Sequence, residues 1–187
     1  MWKAGKLGDH DPETLIHTVW FTLTQHLGLR GRQEHALADI DDFIFGKDEN
    51  DVEYVQFNDL KPTKTRQGGL RMKRRGQLPK MFATYDSTCP VAIFRSYLSH
   101  RPEKLKMSGP LYLAVKYKPK TKVWYKAQTM GTNRLGEIMK RIVRGTAVEQ
   151  TGKRLTNHSA RKTVVKKLDD ANIPRTSTDS IGYRSSQ

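Results

Sequence analysis

With 34 Lys and Arg against 19 Asp and Glu, the 187-residue chain carries a formal charge of +15. That length suits one domain with a real core, and a 36% apolar content with 3 Trp, 7 Tyr and 6 Phe is low for a globular protein but too rich for a disordered one. No apolar run approaches the roughly 18 residues of a membrane span, residues 1–6 carry no apolar signal region, and Cys89 stands alone, which leaves no disulfide framework and no Cys-based metal site.

In chain order, Asp11-Pro12-Glu13 opens a helix: Asp can cap, Pro tolerates the first helical position, and Glu suits the positive end. Leu15, Ile16, Val19, Trp20, Leu23 and Leu27 then recur at helical spacing until Gly28 can stop them. Arg32 to Asp39 reads as a second, short helix. Ile40 to Phe45 and Val52 to Phe57 read as strands joined by the polar turn Gly46-Lys47-Asp48-Glu49-Asn50. Lys61 to Pro79, with Gly68, Gly69 and Gly76, fits a long basic hairpin or loop. Pro90 to Ser99 predicts a helix with Val91, Phe94, Tyr97 and Leu98 inward, and Leu111 to Val115 a short strand. Thr132 to Gly145 predicts a helix with an apolar stripe of Leu135, Ile138, Met139 and Ile142. Asn157 to Asn172 predicts another, capped by Thr156 or Asn157 and closed before Pro174. The expected fold is a mainly helical α+β domain with a small antiparallel sheet and a basic hairpin, spanning 1–187.

The charge is segregated. Residues 33–60 hold nine acids (Glu34, Asp39, Asp41, Asp42, Asp48, Glu49, Asp51, Glu53, Asp59) and one base, Lys47. Residues 61–80 hold eight bases (Lys61, Lys64, Arg66, Arg71, Lys73, Arg74, Arg75, Lys80) and no acid. A second run, Lys116-Tyr117-Lys118-Pro119-Lys120-Thr121-Lys122, precedes Trp124 and Tyr125, which read as two aromatics in one loop. A third cluster is Lys153, Arg154, Arg161, Lys162, Lys166 and Lys167. Any single run could be a solvated face. Three in one small domain favour a polyanion groove, and the expected partner is nucleic acid.

The six His form no His-Glu-x-x-His pattern, so no metal or other cofactor is expected. Neither a phosphate-cradling glycine loop nor a nucleophile elbow is visible. What remains is a dispersed phosphate clamp. His158-Ser159-Ala160-Arg161 sets an imidazole and a guanidinium three residues apart on one helix face, Gly28-Leu29-Arg30 puts another Arg at a helix start, and Lys64 opens the basic hairpin. Two Arg forks can neutralise the non-bridging oxygens of a phosphodiester, a Lys can protonate a leaving oxygen, and a His can hold or move a proton. Taken singly, Arg30 reads as a helix-start salt bridge toward Glu34 and Lys64 as a solvated hairpin charge.

The order Arg30, Lys64, His158-x-x-Arg161 resembles the catalytic domain of tyrosine recombinases, most closely the crypton-type version, also found domesticated at the C-terminus of MYM-type zinc-finger proteins and their glutamine-rich relatives. The similar stretches are Leu27 to His35, Thr63 to Gly69, Pro79 to Thr84, Val123 to Lys126, Gly131 to Gly136 and Thr156 to Arg161. The resemblance implies that Arg30 and Arg161 are the two clamp arginines, His158 the first histidine of the site, and Lys64 the general acid. It further implies a tyrosine hydroxyl attacking a DNA phosphate to leave a 3′-phosphotyrosyl link and a 5′-hydroxyl, without a metal.

The end departs from that pattern. Tyr183, in Ser180-Ile181-Gly182-Tyr183, matches the family's His or Trp position beside the site and lies 22 residues beyond Arg161 (183 − 161), too close for the nucleophile. The nucleophile's expected place, near residue 192, lies beyond Gln187, and a separate DNA-gripping domain is expected ahead of Arg30. The expectation is therefore an incomplete, transposon-derived catalytic domain that binds double-stranded DNA in the nucleus and is inactive as it stands. Expected DNA-binding residues are Arg66, Arg71, Lys73, Arg74, Arg75, Lys118, Lys120, Lys122 and Lys162. The alternatives are an active recombinase whose tyrosine lies further on, acting as an oligomer on DNA, and a protein-interaction module of a chromatin or transcription regulator. A basic RNA-binding protein is disfavoured, because no sheet stacking motif accompanies the aromatics.

Overall fold

Helix α1 (Pro12–Leu27) is built by the signals its sequence carries. The Asp11 carboxylate accepts hydrogen bonds from the backbone N–H groups of Glu13 (2.9 Å) and Thr14 (3.0 Å), Pro12 occupies the first turn, and Gly28 ends the helix at φ 67°. Its apolar stripe is fully buried, and so are Thr14, Thr18, Thr22 and Thr24. Those threonines can go inside because their hydroxyls donate back one turn: Thr18 to the Thr14 carbonyl (2.8 Å), Thr22 to Thr18 (3.0 Å) and Thr24 to Trp20 (2.8 Å). Hence α1 is a central helix rather than a half-exposed one.

The computed structural model describes residues 1–29, 32–58, 78–151, 155–157 and 159. After α1 come α2 (Gln33–Leu37), a 3₁₀ turn (Ile40–Asp42), β1 (Phe43–Lys47), β2 (Glu53–Phe57), β3 (Lys80–Phe82) and α3 (Pro90–Ser99). A second 3₁₀ turn (Glu103–Leu105) follows, then β4 (Leu113–Val115), β5 (Tyr125–Thr129), α4 (Thr132–Gly136), α5 (Ile138–Val143) and α6 (Ala147–Gln150). The architecture mixes helices with two small antiparallel sheets, one in the order β1-β2-β3 and one a β4-β5 hairpin. Pairing Phe43 with Phe57 and Val55 with Met81 puts all four on the buried face. Phe94 of α3 meets Phe43 at 5.3 Å and Phe45 at 5.9 Å between ring centroids. α1 packs against α3, α5 and β3, so sheet and helices share one core. Each large apolar side chain sealed there contributes about 1.5–3 kcal/mol.

Four expectations need correction. The strand expected from Ile40 begins only at Phe43, because Ile40–Asp42 closes as a 3₁₀ turn. Gly46 and Lys47 lie inside β1, paired with Tyr54 and Glu53, so the turn starts at Asp48. There the Asp48 carboxylate accepts from the N–H groups of Asn50 and Val52, 2.9 Å each. The single helix expected over 132–145 is two short ones, broken at Glu137 (φ −97°, ψ −2°) just after the poor helix former Gly136. Its predicted stripe of Leu135, Ile138, Met139 and Ile142 is nevertheless buried. Tyr125 is no loop residue. It opens β5 and is sealed in the core, with its ring 4.9 Å from that of Tyr97 and its hydroxyl donating to the Pro12 carbonyl at 3.0 Å.

Candidate functional site

Of the sequence-predicted residues, Arg30, Lys64, His158, Arg161 and Tyr183 lie outside the described residues, as do Arg66, Arg71, Lys73, Arg74, Arg75 and Lys162. The hairpin expected from Lys61 to Pro79, except Leu78 and Pro79, and most of the helix expected from Asn157 to Asn172 fall there too. Lys118, Lys120 and Lys122 are described, and the chain next to Arg30 and next to His158 is described as well.

On the Arg30 side, Leu29 is buried with its backbone close to the ring of His35, itself buried in α2. His35 Nε2 lies 3.0 Å from the Thr24 hydroxyl and Nδ1 lies 2.8 Å from the Tyr112 hydroxyl. Thr24 has one hydroxyl proton, directed at the Trp20 carbonyl. A neutral ring donating from Nε2 to Thr24 and accepting at Nδ1 from Tyr112 therefore satisfies the whole chain. Complete burial pushes the His35 pKa down to about 3, which keeps that ring neutral, and burial drives the Tyr112 phenol well above its usual range. A polar network thus ties α1, α2 and the strand region at Tyr112 directly beneath Leu29.

On the His158 side, Asn157 is buried, and its side chain spans the break between α4 and α5. Its Nδ2–H donates to the Leu135 carbonyl (3.1 Å), and its Oδ1 accepts from the Met139 N–H (3.3 Å). Asn157 therefore serves as an anchor, and Thr156 stands ahead of it as the residue before the helical turn. The same turn of α4 meets the other flank. α2 packs on α4, and a β-carbon at Gly136 would collide with Cδ of Arg32. A side chain at 136 would therefore have to displace the flexible Arg32 side chain that lies there. The chain two residues after Arg30 and the chain one residue before His158 thus converge on Leu135 and Gly136.

The second basic run caps the β4-β5 hairpin, residues 116–124 joining the two strands. His100 anchors its base. The ring stacks on Trp124 with centroids 3.5 Å apart and planes 8° off parallel, and Nδ1–H donates to the Lys122 carbonyl at 2.6 Å. The Trp124 N–H donates to the His100 carbonyl at 2.9 Å. Lys118, Lys120 and Lys122 are all exposed.

Sequence reasoning missed two charged groups. Glu13 receives Arg141 (3.0 Å) and Arg134 (3.3 Å), so α1 is pinned to α4 and α5. His17 sits beside it, 3.8 Å from the same carboxylate oxygen, and burial lowers its pKa to about 4 against the pull of Glu13. Arg101 is sealed in the core. It donates to the carbonyls of Leu105 (2.7 Å), Leu111 (2.8 Å), Pro110 (3.0 Å) and Ser108 (3.2 Å) and to the Tyr97 hydroxyl (3.1 Å). No local pattern announces either arrangement, because their partners are distant in sequence or are backbone oxygens.

Comparison with known proteins places this geometry. The FLP recombinase of a solved FLP recombinase–Holliday junction complex superposes with a TM-score of 0.54 at 12% identity, covering 94% of this chain and 39% of the other. The fold is therefore recombinase-like. In sequence the chain is 30% identical over 174 residues to the mouse uncharacterized protein KIAA1958 homolog and 29% identical over 174 residues to human uncharacterized protein KIAA1958. Each alignment covers 85% of this chain and 24% of the relative, so the chain spans about a quarter of the length of these relatives. The family model described as "Domain of unknown function (DUF3504)" matches residues 1–144, and the chain belongs to that family.

Proposed function

We propose that this chain is a recombinase-related DNA-binding domain that clamps a backbone phosphate with Arg30 and Arg161. In this reading Lys64 and His158 handle protons at the same phosphate and Tyr183 stands beside them. The observation that carries it is the convergence on α4 of the chain flanking Arg30 and the chain flanking His158, through Arg32 against Gly136 and Asn157 against Leu135 and Met139. A recombinase-like fold and a formal charge of +15 support it. Two guanidinium forks suit a phosphodiester in geometry and charge, and the bonds they make are charge-assisted. The finer assignment is a crypton-type domain acting on double-stranded DNA in the nucleus. Its basic segment from Lys61 to Lys80 and its exposed Lys118, Lys120 and Lys122 extend the contact along the backbone. Strand transfer through a phosphotyrosine is a further step that binding does not require.

The test is equilibrium binding to duplex DNA across a salt series. Wild type binds with steep salt dependence. The double variant Arg30→Gln, Arg161→Gln loses roughly 100-fold or more, since each charge-assisted bond is worth about 1.5–3 kcal/mol, and its log–log salt slope falls by about 1.8. Unchanged affinity in the double variant would sink the clamp and favour a protein-interaction module.

A further inference from the structure

The tip of the β4-β5 hairpin carries more than charge. Tyr117 is 87% exposed, the most open of the large apolar side chains described, and it sits between Lys116 and Lys118 with Lys120 and Lys122 close behind. Ion pairs among the described residues engage Lys47, Lys106, Arg95, Arg134 and Arg141 and none of these hairpin lysines. Four cations thus lie close in sequence with no ion-pair partner among the described residues, an arrangement that self-repels until a polyanion binds.

The stem beneath the tip is stiff. The Lys116 N–H donates to the Trp124 carbonyl at 2.9 Å, one residue before Tyr117, so the ladder runs up to the base of the exposed ring. The stacked His100 and Trp124 rings and the His100 bond to the Lys122 carbonyl close the other strand at the same level. Trp124 has one face covered by His100, which leaves Tyr117 as the free ring. Lys118 turns at φ 46°, a left-handed conformation that costs energy in a non-glycine residue, and its Nζ comes 5.4 Å from the Tyr117 centroid. An isolated surface tyrosine needs no explanation. One at the top of a braced hairpin stem, in a run of lysines without an ion pair among the described residues, combines an aromatic stacking face with phosphate-seeking cations.

We propose that the β4-β5 hairpin is a second DNA contact that recognises an unstacked base, with Tyr117 stacking on the base and Lys118, Lys120 and Lys122 holding the flanking phosphates. An intact duplex offers the lysines their phosphates but offers Tyr117 no base face. The inference rests on the reading of the chain as DNA-binding and adds to it a preference for distorted DNA.

The experiment compares the full chain binding two duplexes of one sequence, intact and with a single unpaired adenine, with a single-stranded RNA as competitor. Wild type prefers the bulged duplex by roughly 5- to 100-fold. Tyr117→Ala abolishes that preference and leaves intact-duplex affinity within about twofold, Tyr117→Phe keeps it, and the melting temperature is unchanged because the side chain is solvent-facing. Lys118→Gln, Lys120→Gln and Lys122→Gln together weaken both duplexes and lower the salt slope by about 2.7. Equal binding of the two duplexes by wild type, or a preference that survives Tyr117→Ala, overturns this inference alone. RNA outcompeting both duplexes overturns its choice of partner, and no wild-type DNA binding overturns it together with the clamp.

Discussion

Arg101 and the lysines of the β4-β5 hairpin carry the same unit charge in opposite settings. The Arg101 side chain is 1% exposed, and its guanidinium is wrapped by four carbonyls and one hydroxyl, so that it ties α3 to residues 105–111. Its donors are directed at neutral oxygens, and nothing is left over to hold a ligand. Lys118, Lys120 and Lys122 stand in water without a carboxylate among the described residues. Arg134 and Arg141 fall between these extremes, sharing Glu13 at the surface. Net charge therefore does not measure binding surface. A cation is available to a phosphate only where the fold leaves it unsatisfied.

The contrast can be broken first at Arg101. Arg101→Met strips the donor from four carbonyls, and urea denaturation should record a loss of about 3–5 kcal/mol. A loss under about 1 kcal/mol would mean that water replaces the guanidinium and that the site is not closed. Acidification comes next. His17 is held below its usual pKa, at about 4, so the unfolded chain binds its proton first. The stability contributed by keeping it neutral is complete above about pH 6.5 and shrinks as pH falls toward 4. At pH 5 that loss is about 2 kcal/mol, and His17→Gln should flatten the pH–stability profile by that amount. A smaller effect belongs to Asp11, whose partial burial is outweighed by hydrogen bonds from Thr14 and Glu13 that hold its carboxyl low. Asp11→Ala should cost about 1 kcal/mol in thermal or urea melts by uncapping α1. Smallest of all, Lys118→Gln, Lys120→Gln and Lys122→Gln together should shift stability by less than about 0.5 kcal/mol while changing DNA binding, the reverse of the Arg101 result.

What the sequence made legible follows the same division between local and distant partners. α1 was readable because Asp11, Pro12 and Gly28 act on their own helix, and α3 because Val91, Phe94, Tyr97 and Leu98 recur at helical spacing. β3 was not anticipated, since three residues, Lys80 to Phe82, carry no period. β5 was missed because Tyr125–Thr129 buries only its first residue. The break at Glu137 follows the poor helix former Gly136, and nothing local shows that Arg32, a hundred residues earlier, lies against that glycine. His35 looked like an ordinary polar residue of a short helix, and only the arrival of Thr24 and Tyr112 makes it a buried link beneath Leu29. Of the proposed clamp, the order of residue types was legible, and the convergence of its flanks on α4 emerged only in three dimensions.

The central claim is that the basic surfaces meet DNA while the acidic β1-β2 turn does not. Hydrogen exchange of the full chain with and without duplex DNA tests it in one measurement. The account predicts slowed exchange in α4, in Leu155 to Asn157 and across residues 116–124, with unchanged exchange from Asp48 to Val52. Unchanged exchange in all three basic-side segments, or slowing confined to the acidic turn, would contradict it.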